Sequence, residues 1–162
     1  MKEVAILLLA ALMLSGCGNS TTQVQQSAAG TWQAALNGGE GDSTGFSFNT
    51  QFTVGGDGAL SISYFQFLNS GEPCFPFSGE APTGSMILNE NLNTFGVTGT
   101  FTFVVKSGSN TLTLTSKTVT GTESGTTLSG ITINGNWTLA GDGTKGCNNT
   151  SGSFVLTQSS ST

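Results

Sequence analysis

The sequence predicts an all-β domain: an antiparallel meander of about eight or nine strands closed as a barrel, with a two-sheet β-sandwich as the alternative closure. Three observations predict it. From Gly30 onward, runs of five to ten residues rich in Thr, Val, Phe and Ile are separated by Gly, Asn, Asp and Ser, which is the punctuation of strands and hairpins. Within those runs apolar and polar residues alternate with period two, so one face of each strand is buried. No window carries the apolar spacing of an amphipathic helix.

The strands follow in order. The first is expected over 30–37, opening on Gly30-Thr31-Trp32. The second, over 45–54, sets Phe46, Phe48, Phe52 and Val54 against Ser47, Asn49, Gln51 and Thr53. Gly55-Gly56-Asp57-Gly58 supplies the positive-φ residues of a tight hairpin, and the third strand, 59–68, places Leu60, Ile62 and Tyr64 in one phase. Residues 70–84 hold all three prolines and form the one long irregular connection. A strand over 84–90 leads to another over 95–105, with Val97, Phe101, Phe103 and Val105 inward. Lys106 to Asn110 is the next turn, before a strand over 110–119 with Leu112 and Leu114 inward. The strand over 126–139 carries Ile131, Ile133, Trp137 and Leu139 and is broken near Gly130 or Gly135. After Gly141-Asp142-Gly143, the last strand, 151–158, carries Phe154 and Leu156. Gly99 and Gly135 fall in the inward phase, which predicts bulges or sharp bends there. Turns this short pair consecutive strands antiparallel, and the hairpin-by-hairpin order favours a barrel over a sandwich.

Composition excludes several chemistries. The chain has 162 residues, 8% of them charged, with no His, so Ser-His-Asp and Cys-His catalysis and His-ligated zinc are ruled out. There is no Arg, and four Lys against nine Asp plus Glu leave a net charge of −5; nucleic acid is repelled, not recruited. The carboxylates Glu40, Asp42, Asp57, Glu72, Glu80, Glu90, Glu123 and Asp142 fall nearly all in Gly-rich turns, where a solvated carboxylate caps or turns the backbone. The Asp-x-Asp-x-Asp-Gly spacing of a calcium loop is missing. The expectation is a non-catalytic domain with no metal and no cofactor.

Residues Val4 to Leu14 form an apolar run behind a single basic residue, Lys2. As a helix it would span about 16 Å, too short to remain in a bilayer, which marks an export signal. The tetrad Leu14-Ser15-Gly16-Cys17 that follows resembles the lipobox of bacterial lipoproteins. The resemblance implies cleavage after residue 16, diacylation of Cys17 and acylation (palmitate) of the new amine, giving a stable membrane anchor. Gly at position 18 in place of Asp implies, by the enterobacterial sorting rule, the outer membrane over the inner. Residues 17–29 then comprise the lipidated cysteine and a flexible tether, 30–158 one β domain, and 159–162 a disordered tail. With Cys17 acylated, Cys74 and Cys147 remain as an even pair in an oxidising compartment, and a disulfide between them is the economical reading.

The opening Gly30-Thr31-Trp32 is similar to the Gly-x-Trp that opens lipocalin barrels; the resemblance implies a lipocalin-like topology and carries no ligand with it. The aromatics have two readings. Phe46, Phe48, Phe52, Phe65, Phe67, Phe101, Phe103 and Phe154 line an apolar interior that takes a small fatty or isoprenoid ligand, or they fill the core. In the second case the domain works through its surface on glycans or other envelope proteins, using Thr-rich faces such as Thr98, Thr100 and Thr102 or the 70–84 connection. Phe75 and Phe77 flank Pro76 in that connection and are candidates for a lid or an exposed contact.

Overall fold

A computed structural model describes residues 28–38, 47–68, 74–75, 81–91, 96–124, 127–144 and 147–159. The expected signal peptide 1–16, Cys17, the tether up to residue 27, Phe46, Phe77 and four of the turn carboxylates (Glu40, Asp42, Glu72 and Glu80) lie outside these residues.

Eight strands form a single antiparallel sheet: β1 Gly30–Asn37, β2 Ser47–Val54, β3 Leu60–Phe67, β4 Thr83–Asn91, β5 Gly96–Ser107, β6 Asn110–Ser124, β7 Thr127–Ala140 and β8 Thr150–Gln158. Their order, β3-β2-β1-β8-β7-β6-β5-β4, is the meander wrapped round so that β1 pairs with β8. The remaining seam, β3 against β4, is joined by an isolated bridge between Ala59 and Ser85, in which Met86 N donates to the Gly58 carbonyl at 2.8 Å. The result is a nearly closed up-and-down barrel and not two stacked sheets. Wrapping turns the two edge strands, β3 and β4, toward each other at one seam, in place of the two open edges of a flat eight-stranded sheet.

The period-two alternation sends Trp32, Ala34 and Leu36 inward from β1, Phe48, Thr50, Phe52 and Val54 from β2, and Phe101, Phe103 and Val105 from β5, all buried. Strands slip register at bulges on three of them, β3, β6 and β7, the β6 bulge being felt by both β5 and β7. On β3, Gln51 faces Tyr64 while Phe52 faces Ile62, so Ser63 is an extra residue. This bulge overturns the expectation for Tyr64: Leu60 and Ile62 point in, but Tyr64 turns outward and Phe65 and Phe67 take the inward phase. The Tyr64 carbonyl accepts a hydrogen bond of 3.0 Å from the buried Thr50 hydroxyl, so a polar side chain inside the wall steadies the bulge. On β6, the slip between Thr115 and Thr118 is spanned by Ser116, whose hydroxyl donates to the Asn134 carbonyl and accepts from Thr118 N at 2.9 Å.

The third slip lies opposite Gly121, where β7 has an extra residue at Gly130, with φ of 62°. The expected break near Gly130 is thus a glycine bulge in the left-handed region. A Cβ at Gly130 would meet nothing within 4 Å, whereas one at Gly135 would lie 2.2 Å from the Thr115 carbonyl oxygen and 2.6 Å from Phe154 Cε1. Gly130→Ala is therefore expected to destabilise by about 1 to 2 kcal/mol through backbone conformation alone. Gly135→Ala should cost about 3 kcal/mol through overpacking. Chemical denaturation of the two variants checks the order, and a Gly135→Ala protein more stable than Gly130→Ala would contradict the packing described for β7.

Candidate functional site

The barrel has two differently built ends. At one, the chain enters through Ala28 and leaves at Ser159. Gln158 Nε2 donates to the Ala29 carbonyl at 3.0 Å and Ser159 N to the Thr31 carbonyl at 2.8 Å, holding entrance and exit together. The Trp32 indole N–H donates to the buried Ala28 carbonyl at 3.2 Å, and its ring stacks on Phe52 with centroids 5.5 Å apart.

At the other end the sequence's cysteine pair meets. Cys74 and Cys147 form a disulfide, Cα atoms 5.4 Å apart, across 73 positions of sequence. It ties the β3–β4 connection to the β7–β8 connection. Asn110, buried at the start of β6, joins the same two segments: its Nδ2 donates to the Cys74 carbonyl at 3.1 Å and its Oδ1 accepts from Asp142 N at 2.9 Å. Phe75 follows Cys74 into the barrel mouth, buried, with its ring 5.4 Å from that of Phe67. Of the two expectations for Phe75, the lid is the one its position fits. Asn110 carried no sequence signal for this role; it reads as a turn residue, and only the disulfide's position gives it two loops to bridge.

Between the ends, the aromatic positions come together. Phe48 on β2 stacks on Phe103 of β5, centroids 5.5 Å apart and planes 15° off parallel; β3 and β4 stand between those strands along the wall. Phe101 of β5 lies 6.2 Å from Phe154 of β8, with β6 and β7 intervening. Phe65 lies 5.0 Å from both Phe48 and Phe67. Rings from opposite walls thus touch in the middle of the barrel. Inward glycines make room for them: register sets Gly84 beside Phe103, Gly135 beside Phe154 and Gly152 beside Trp137. A small residue paired with a large one is how an eight-stranded interior accommodates rings. The structure therefore brings together seven of the eight candidate phenylalanines, Phe48, Phe52, Phe65, Phe67, Phe101, Phe103 and Phe154, in one core, the eighth, Phe46, lying outside the described residues.

The two described turn carboxylates serve the backbone. Asp57 Oδ1 accepts from Ala59 N at 3.0 Å in the β2–β3 turn. Asp142 Oδ1 accepts from Thr144 N at 2.8 Å and from its hydroxyl at 2.6 Å in the β7–β8 loop. These turns sit at opposite ends of the barrel, so the pair cannot share an ion. Among the described residues no group of three metal-ligating side chains occurs.

Fold and interior together define an up-and-down antiparallel β-barrel with a disulfide-pinned cap. No family model matches the chain, and no curated protein matches it.

Proposed function

We propose that the protein is a lipid-anchored module of the bacterial cell envelope whose barrel is non-catalytic and acts through its outer surface. The observation that carries the second half is the contact of phenylalanine rings across the barrel: side chains that satisfy one another leave the wall's exterior as the working surface. The anchor rests on the lipobox at Cys17. In this reading the tether joins the barrel at the end holding Ala28, so that end faces the bilayer and the disulfide cap points away. A coil of about 12 residues has a root-mean-square span of about 20 Å, enough to hold the domain off the surface. The outer membrane is the favoured location, from the residue that follows Cys17.

A second reading, a small apolar ligand held among the phenylalanines, is favoured by one observation. Leu60, Ile62, Phe65 and Phe67 of β3 point inward yet are only partly buried, and they flank the seam where a single bridge joins β3 to β4.

Native mass spectrometry of the full chain extracted from membranes tests both. The expected mass is that of residues 17–162 plus the acyl groups, less two hydrogens for the bridge, with no passenger. A stoichiometric apolar passenger would replace the first reading with the second. An unprocessed, unacylated mass, unchanged in a Cys17→Ala variant that stays in the membrane fraction, would remove the anchor.

A further inference from the structure

Charge is unevenly distributed over the wall. Five consecutive strands, β7, β8, β1, β2 and β3, contain no Asp, Glu, Lys or Arg, although the chain as a whole carries −5. On the β1–β2–β3 part of that wall the outward positions, Ala35 apart, are amides and hydroxyls in register. Gln33 faces Asn49 and Asn49 faces Gln66 across the three strands, while Thr31 faces Gln51 and Gln51 faces Tyr64 in the neighbouring row.

Tyr64 is the chain's only tyrosine. It is 43% exposed, and it stands outside only because of the bulge at Ser63. The surrounding structure fixes it at both ends: the backbone carbonyl through Thr50, and the phenol through a hydrogen bond to Gln66 Oε1. An exposed ring held beside planar amides that both donate and accept matches one chemistry above others. Sugar C–H groups carry slight positive charge and pack on the negative face of an aromatic ring, while their hydroxyls bond the neighbouring amides. Nucleic acid and anionic lipid need cations that this wall lacks. Adjacent strands lie about 4.8 Å apart, close to the length of a single pyranose, so rows running across strands offer amides at the repeat of a sugar chain.

We propose that the outer wall of β1–β2–β3 is a binding site for neutral glycan chains, with Tyr64 as the stacking platform and Gln66, Gln51, Asn49 and Gln33 as its hydrogen-bonding partners. This deepens the outer-surface reading of the protein's role and rests on it.

The test is affinity electrophoresis of the full chain in detergent through gels containing neutral polysaccharides (a β-glucan, a mannan, a chitin derivative), with heparin and polygalacturonate as anionic comparisons. At least one neutral gel should retard the protein and the anionic gels should not. Tyr64→Ala should weaken the apparent affinity by about tenfold or more, as expected for a central aromatic contact. Tyr64→Phe, which keeps the ring and loses the bond to Gln66, should retain most of it, and Lys117→Ala on the opposite wall should leave it unchanged. Because Tyr64 is exposed, its replacement should preserve the Cys74–Cys147 bridge and the denaturation midpoint, which separates lost binding from lost fold. Absence of retardation in every neutral gel, or retardation that Tyr64→Ala leaves intact, overturns the site. So does a dimer of the full chain that Tyr64→Ala dissociates, since a second copy would then occupy the wall. A bare native mass alongside such a failure leaves the outer-surface reading standing, whereas a stoichiometric apolar passenger removes that reading itself.

Discussion

Replacing Phe48 by alanine is expected to lower the free energy of unfolding by about 3 to 5 kcal/mol, the range for deleting a fully buried ring. Phe48 is fully buried and touches Phe65, Phe67 and Phe103, so its removal opens a void at the level where opposite walls meet. Phe65, only partly buried beside the β3–β4 seam, should cost less when truncated, because solvent already reaches it and less surface is returned to water. The informative measurement is a double-mutant cycle on Phe48 and Phe103 by chemical denaturation, using the fluorescence of the two buried tryptophans, Trp32 and Trp137. A coupling of about 0.5 to 1.5 kcal/mol is expected for rings in contact. Additive losses would mean that the two walls do not meet, and the filled interior would lose its main support.

Opening the disulfide should have a comparable effect for a different reason. The bridge spans 73 positions, and restricting so long a loop in the unfolded chain is worth roughly 4 kcal/mol on chain-entropy grounds. The double variant Cys74→Ala, Cys147→Ala is therefore expected to lose about 2 to 5 kcal/mol, as removal of a native disulfide from a small domain typically does. The loss should be accompanied by exposure of Phe75, which sits next to Cys74 over the barrel mouth, and of Asn110, whose amide would keep only part of its bonding. Proteolysis sensitivity within the 68–82 connection, compared between the bridged and bridgeless proteins, checks this. An unchanged denaturation midpoint and unchanged cleavage would show that the cap is held by Asn110 and Phe75 without the bridge. Asn110→Ala in the bridged protein should cost about 1 to 3 kcal/mol, because it leaves a buried carbonyl and an amide N–H without their partner.

The strand set and its inward face were legible in the sequence, because both are local properties: a side chain in a strand points opposite to its neighbours whatever lies elsewhere. Strand limits agree within about three residues except on β6, which runs on to Ser124; the pairing that prolongs it comes from β7 and is invisible in β6 itself. The hairpin turns were legible for the same local reason, Gly58, Gly108 and Gly143 all having positive φ. The cysteine pairing followed from counting. Tyr64 was misplaced because a bulge is a property of two strands, not one: nothing between Leu60 and Phe67 marks Ser63 as extra until β2 is laid beside it. Which phenylalanine rings meet likewise escaped the sequence. Phe48 and Phe103, like Phe101 and Phe154, approach one another only when the sheet closes, and closure sets the distance between walls through strand number and tilt. What the sequence determined by itself, then, was every preference acting over a few bonds: strand, turn, inward or outward. Apart from the cysteine pair, contact between residues more than fifty positions apart belonged to tertiary structure, because only the wrapped sheet brings those side chains within van der Waals reach.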